Sequence, residues 1–310
     1  MRRVPFICLI LSVLPVSGYA KDAPEPSALI TLSVANMRKV PDHRSELVSQ
    51  TIMGTPVAVL REKKGWLLIR TPDGYKGWTE PSSLAIMDAA GMEAWRKAPR
   101  VMYAGTAGWI KGPDRQSGIS DVTGGAILVK GEESGGWTTV VLPDGRTGFV
   151  ETNLLKDFNL VPNVIPVSAE ALIRTAREYI GIPYLWGGAS AKAADCSGFM
   201  QSVFFRNGIV LMRDASQQAT QGNRIGTGQG LDVLQPGDLL FFGSPVTGNI
   251  THVALYIGNM EYIHASGRVF IASLDPACAN YSAYRRNSLR FAVRLTGKDT
   301  QLNVSAHPWY

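Results

Sequence analysis

The sequence predicts an α+β protein: two small β-barrels in series, followed by helices packed on an antiparallel sheet. Three observations carry this expectation. A strand–turn–strand unit occurs twice at a constant offset, a connector rich in valine and proline follows the second copy, and beyond it two segments of helical spacing lead into four short apolar strands.

The chain opens on "MRRVPFICLILSVLPVSGYA", two arginines, an apolar run and then the small residues Ser17, Gly18 and Ala20. This is the layout of a secretory leader cleaved after Ala20. The apolar run is about half of the ~20 residues that a spanning helix needs, and no other segment is long and apolar enough to cross a bilayer. Cys8 lies inside the run rather than at its end, where a lipoprotein would carry it. Cleavage leaves 29 basic and 25 acidic side chains, a net charge of +4, without the dense basic stripe of a nucleic-acid binder. An exported protein of the periplasm or cell envelope is expected, with no nucleic-acid partner and no transmembrane segment once the leader is gone. At 310 residues, 45% hydrophobic and 18% charged, it has material for two or three folded domains.

The two barrels rest on the repeat. "GWLLIRTPDGYKGWTEPSSL" starts at Gly65 and "GWTTVVLPDGRTGFVETNLL" at Gly136, 71 residues apart throughout. Each copy reads as strand, turn, strand. In the turn, Pro presets φ, Asp bonds its own backbone and Gly accepts positive φ. A further β-rich run precedes each copy. "DAAGMEAWRKAPR", between the copies, has helix-forming composition and suits an insertion or a linker. The expected division is a leader over 1–20, a first barrel with its helical insertion over 21–99 and a second barrel over 100–159. The α+β domain then spans 160–300, ahead of a tail at 301–310.

In the last domain, "AEALIRTAREYIG" places apolar residues at 172, 173, 176 and 180, with Ser168 as a cap and Gly181 as a stop. "DCSGFMQSVFFRNGI" repeats the spacing at 199, 200, 203 and 204 and stops at Gly208. "GDLLFFG", "HVALYIG", "EYIHAS" and "RFAVRL" read as strands.

Two cysteines remain after cleavage, Cys196 and Cys278. Helical register carries Cys196 into the first turn of the second helix, facing the sheet. A thiol there meets the positive end of the helix dipole and unpaired amides, which favour the thiolate. Position alone does not separate that role from ordinary packing. Of the four histidines His43, His252, His264 and His307, two fall on neighbouring strands. A two-residue turn at Gly258-Asn259 would pair 252 with 265 and split these two across the sheet, whereas a three-residue loop or a bulge would put them on one face. A shared site therefore requires an irregular hairpin. A metal centre built from Cys196, His252 and His264 would lack the fourth ligand of a closed zinc site. No metal and no cofactor is expected.

Each repeat, with its G-W…D-G…G-W/F pattern, resembles a bacterial SH3-like (SH3b) domain. "YIGIPYLWGG", "DCSGF", "GDLLFF", "HVALYIG" and "YIHA", in that order over roughly 168–296, resemble the NlpC/P60 family of cell-wall cysteine peptidases. The resemblance implies a papain-like catalytic domain with Cys196 as nucleophile, His252 as general base and His264 as the residue that orients the base. A nucleophile held in a bridge cannot attack, so Cys278 is expected to be free.

An NlpC/P60 domain behind two SH3b domains resembles the γ-D-glutamyl-L-diamino acid endopeptidases. That implies peptidoglycan-derived peptides, L-Ala-γ-D-Glu-diamino acid with a free amine, as substrates and partners. On this resemblance Asp214 binds the amine, beside Ala215 where relatives often carry serine. Tyr184, Asp195 and Ser197 line the pocket, and Glu46 and Tyr75 of the first barrel close its far end. The glycines of "YLWGG" are expected to let a peptide lie close to the backbone. Two other readings remain at this point: a D,L-endopeptidase on intact peptidoglycan with the barrels as anchors, and a non-catalytic wall-binding protein.

Overall fold

A computed structural model describes residues 25–158, 168–228, 230–244, 246–295 and 303–310. The leader and most of the connector lie outside these residues.

The first barrel is a seven-stranded sheet of β1 (Ala28–Ile30), β2 (Val34–Arg38), β3 (Leu47–Ile52), β4 (Pro56–Lys63), β5 (Trp66–Arg70), β6 (Lys76–Thr79) and β7 (Leu84–Ile86). Its order is β3-β2-β6-β5-β4-β1-β7. After α1 (Ala89–Lys97) come β8 (Arg100–Tyr103), β9 (Ala107–Lys111), β10 (Gly118–Thr123), β11 (Ile127–Ser134), β12 (Trp137–Val141), β13 (Thr147–Glu151) and β14 (Leu155–Asp157). Their order, β10-β9-β13-β12-β11-β8-β14, repeats that of the first sheet strand for strand. The two Pro-Asp-Gly turns explain the match locally. Gly74 and Gly145 sit at φ +83° and +85°, where a Cβ would be strained, and Asp73 and Asp144 accept the backbone N–H two residues on.

The segment between the barrels is a true helix. Asp88 caps α1 by accepting the Gly91 N–H at 2.7 Å. Its buried Met92 and Trp95 share one core with Leu29 of the first barrel, Ile127 of the second and Val304 of the C-terminal segment. That segment also reaches the first barrel, with Nε2 of His307 3.0 Å from the Pro72 carbonyl. The Arg70 guanidinium lies 5.0 Å from the ring centre of buried Trp309.

The last domain holds α2 (Ala169–Arg177), α3 (Cys196–Phe205), α4 (Ala215–Gln218), β15 (Asn223–Gly226), β16 (Leu239–Gly243), β17 (Ile250–Gly258), β18 (Glu261–Ser266), β19 (Arg268–Ser273), α5 (Ala283–Ser288) and β20 (Leu289–Arg294). The strands form one antiparallel sheet, β15-β20-β16-β17-β18-β19. β15 and β19 escape sequence reading because neither has a clear apolar alternation. α2 ends at Arg177, earlier than Gly181 suggests; Gly181, at φ +91°, instead turns the chain so that its N–H reaches Val269.

The sheet is buried on both faces. Leu239, Phe241, Val253, Leu255 and Ile263 pack with Phe199, Met200 and Val203 of α3. The alternate residues Leu240, Phe242, Ala254, Tyr256 and Tyr262 form a second core on the far side. Fully burying each Leu, Val or Phe side chain contributes roughly 1.5–3 kcal/mol, which holds the start of α3 firmly against β17.

Candidate active site

α3 begins on Cys196 because Asp195 caps it, accepting the Gly198 N–H at 2.8 Å. No side chain could replace Gly198, since a Cβ there would lie 2.0 Å from the Gly188 carbonyl oxygen. The thiol is 8% exposed and faces the amides of Val253, on β17, and Ser197. The helix start was expected to lower its pKa. Instead burial, with the Asp195 charge second, pushes the thiol up, and the two amides and Arg213 offset this only in part.

The histidines meet as an irregular hairpin requires. Leu255 pairs with Ile263 and Tyr256 with Tyr262, and the register then shifts before Gly258–Glu261. That bulge puts His252 and His264 on one face, with Nε2 of His252 2.8 Å from Nδ1 of His264. Both are buried, 5% and 2% exposed. They belong to the sheet face opposite the one that α3 covers. Burial pushes both imidazoles down, His264 to about 3, with the Arg285 charge second. Both shifts favour the neutral forms of the thiol and the imidazole.

A cavity of about 390 Å³ opens over this pair. It brings together Glu46, Tyr75, Tyr184, Asp195, Cys196, Ser197, Asp214, Ala215 and His252, nine of the ten residues singled out in the sequence; His264 stands behind His252. Burial, with the charges of Cys196 and Asp195 behind it, pushes the Tyr184 hydroxyl up to about 12, so it remains a donor. Asp214 makes no ion pair among the described residues, and burial raises its pKa despite the neighbouring Arg213 charge. Glu46 accepts from Trp186 Nε1 at 3.0 Å and from Lys39 Nζ at 3.1 Å, which hold its carboxyl below the usual range, Lys39 more than Trp186.

Asp195 has no free oxygen for a substrate. Its carboxylate takes the Gly198 and Gly187 amides and both ends of the Arg213 fork, at 3.1 and 2.5 Å. Arg213, itself buried, also donates to Ser197 Oγ at 3.0 Å and to Ser49 Oγ of the first barrel at 3.1 Å. Sequence reading missed it, because nothing in "LMRDAS" signals a partner eighteen residues back. Trp186 was missed too; it stands 63% exposed at the cavity rim.

The glycines before the cysteine are packed closely against neighbouring backbone, and Gly187 also lines the cavity. Gly187 sits at φ +79°, and a Cβ there would lie 2.3 Å from the Leu47 carbonyl oxygen of β3. Gly188 packs as closely on Ala193. Gln50 accepts the Ala189 amide at 3.1 Å, and Lys192 bridges Ser33 of the first barrel and Asp121 of the second. The loop is thus moulded onto the barrels. Cys196 and Cys278 are both free thiols.

Comparison with known proteins agrees with this architecture. A model of the NlpC/P60 family matches residues 181–286, and one of the bacterial SH3 domain matches 33–85. The SH3 match lies within the first barrel, and the second barrel shares its strand order. Dipeptidyl-peptidase 6 of Lysinibacillus sphaericus is 32% identical over 260 residues, 80% of this chain and 92% of that protein. The gamma-D-glutamyl-L-lysine dipeptidyl-peptidase of Bacillus subtilis is 30% identical over 79% of this chain and 85% of its own length. A crystal structure of an NlpC/P60 family protein from Bacillus cereus superposes with a TM-score of 0.73 at 23% identity, covering 86% of this chain and 99% of the other. Helices on an antiparallel sheet, with a cysteine at a helix start, place the chain in the papain-like α+β class. It belongs to the NlpC/P60 family.

Proposed function

We propose that this protein is a cysteine endopeptidase that hydrolyses the γ-D-Glu–L-diamino acid bond of peptidoglycan stem peptides bearing a free N-terminal L-Ala, in cell-wall turnover or recycling. Peptidase activity on peptidoglycan peptides is what the relatives' names support; the bond and the residue roles are this proposal's own. One observation carries it. A single cleft holds Cys196 beside His252 and, toward the first barrel, an Asp214 carboxylate without an ion pair among the described residues. A partly buried carboxylate gains most from a cation brought by the ligand, and a free L-Ala ammonium is such a cation.

The geometry suits general-base attack. For His252 to take the thiol proton at Nδ1, its own proton must sit on Nε2 and be donated to His264 Nδ1. The sulfur then attacks the D-Glu γ-carbonyl as the proton leaves. The amide of Cys196, without an intrahelical partner at the first position of α3, and the Tyr184 hydroxyl meet the oxyanion, each contributing about 3 kcal/mol to the transition state. The imidazolium passes its proton to the departing amine, and His252 then activates the water that opens the thioester.

The first barrel is read as the closed end of the site and not as a wall anchor, since Glu46, Ser49 and Gln50 are bonded into the catalytic loops. The second barrel is read as a further SH3b domain from its identical strand order. Export through the leader and action in the envelope belong to the same reading. Purified protein should convert L-Ala-γ-D-Glu-(diamino acid) into L-Ala-D-Glu and the free diamino acid, measured by mass spectrometry, and should act weakly on intact sacculi. Efficient sacculus digestion without release from the tripeptide would favour the anchored D,L-endopeptidase instead. Selective labelling of Cys196 by a thiol probe, with loss of turnover, separates either enzyme from a non-catalytic wall binder.

A further inference from the structure

The hydrogen bond between the two histidines can be made in two ways, and only one of them leaves a base. If His252 donates from Nε2, its Nδ1 is bare and can take the thiol proton; His264 accepts at Nδ1 and carries its own proton on Nε2. If His264 donates from Nδ1 instead, its Nε2 is bare, and the proton of His252 sits on Nδ1, where it blocks the base. What surrounds Nε2 of His264 therefore weighs one form against the other.

That nitrogen is buried and has no hydrogen-bond partner among the described residues. The sheet sets its surroundings. β18 lies between β17 and β19, so an imidazole whose Nδ1 edge meets His252 on β17 turns its Nε2 edge toward β19. There Phe270 is the direct cross-strand partner of His264, which puts the two side chains on one face. Their ring centres are 4.6 Å apart and their planes 56° from parallel. Rings meeting edge to edge could not bring their centres so near, so the imidazole edge meets the face of the benzene ring. Tyr262, which precedes His264 on the same strand, is farther off at 5.1 Å. An aromatic face is electron-rich; it attracts an N–H and repels a nitrogen lone pair. Both effects favour the form in which Nδ1 of His252 is bare.

We propose that Phe270 is a positioning residue: its ring face holds the Nε2–H of His264 and so fixes the pair of tautomers in which His252 can act as base. This rests on the general-base reading given above and not on which peptide bond is cut.

The test uses the full chain with isotopically labelled histidine, as wild type, Phe270→Tyr, Phe270→Leu and Phe270→Ile, the last being well suited to a strand. Long-range proton–nitrogen spectra at neutral pH tell a protonated ring nitrogen from a bare one. Wild type and Phe270→Tyr should show His264 protonated on Nε2 and bare on Nδ1. In the ringless variants the form protonated on Nδ1 of both histidines should gain about fivefold on the other, the scale of one N–H···π contact. Their kcat on L-Ala-γ-D-Glu-L-Lys should fall in proportion to the active form lost, with KM nearly unchanged, while Phe270→Tyr keeps most of the wild-type kcat. A wild-type His264 protonated on Nδ1 would overturn the proposal. So would a ringless variant, folded by circular dichroism, that keeps the wild-type tautomers, whatever its kcat. Loss of the fold in both ringless variants would assign Phe270 to the core instead and overturn it too. If wild type released no L-Ala-D-Glu, the bond assignment would fail, and the spectra would still decide the part played by Phe270.

Discussion

Nε2 of His252 lies 2.8 Å from Nδ1 of His264, and both rings are buried between a sheet and its second core. In the proposed mechanism His264 accepts in this contact, which leaves Nδ1 of His252 unprotonated. Replacing His264 with Ala should lower kcat by about 100-fold or more, because the imidazole is then free to adopt the wrong tautomer. His264→Asn, whose carbonyl can still accept, should recover part of that loss. Steady-state kinetics beside circular dichroism checks both; equal kcat for the Ala and Asn variants would argue against an orienting role.

Burial favours the neutral forms of Cys196 and His252, and this has a pH signature. Burial holds the His252 imidazole well below its ordinary 6.5, so the base stays unprotonated into the acid range. The acid limb of kcat/KM should therefore fall below pH 6.5. Burial holds the Cys196 thiol above its ordinary 9.0, so alkylation of the free enzyme by iodoacetamide should still be rising at pH 9. A pH-independent alkylation rate between pH 5 and 8 would instead mark a thiolate–imidazolium pair.

Arg213 and Asp195 are a buried pair, and Asp195 also caps the helix that begins at Cys196. Arg213→Met leaves the carboxylate buried without its partner and should cost about 3–5 kcal/mol of stability. The double variant Arg213→Met/Asp195→Asn should be less destabilised than the sum of the two single changes, as read from urea denaturation.

Asp214→Asn keeps the shape of the cleft and removes its anionic amine partner. KM for a free-amine tripeptide should rise about tenfold or more with kcat nearly unchanged. An N-acetylated tripeptide, already poor for wild type, should be affected little. If wild type cuts both peptides equally, Asp214 does not read the amine.

His307 ties the C-terminal segment to Pro72, and burial pushes its pKa from 6.5 to about 4. The unfolded chain then binds a proton that the folded chain does not. Stability from this group is complete above pH 6.5 and declines as the pH falls toward 4; His264, pushed to about 3, extends the loss lower. Thermal unfolding of wild type and His307→Gln between pH 7 and 4.5 checks this, the variant showing the shallower slope.

Much of this was legible in the residues. The offset between the two Pro-Asp-Gly units announced two like barrels, and parity between positions 252 and 264 demanded the hairpin bulge seen at Tyr256–Gly258. Cys196 fell at a helix start because Asp195, an oxygen acceptor ahead of an apolar helical run, has a local signature. Arg213 and Trp186 left no such trace, since their partners lie on elements that only folding brings near.

Periodicity and turn chemistry are properties of neighbouring residues, so the sequence alone determined the three longest helices, most strands, the barrels and the order of the motifs, while the short α4 and α5 escaped it. Protonation and enclosure are properties of surroundings, and the tertiary structure decided those. Desolvation shifts the thiol and imidazole toward their neutral forms, against the expectation from the helix dipole, and the close approach of Leu47 to Gly187 turned a glycine-rich loop into the seam between barrel and candidate site.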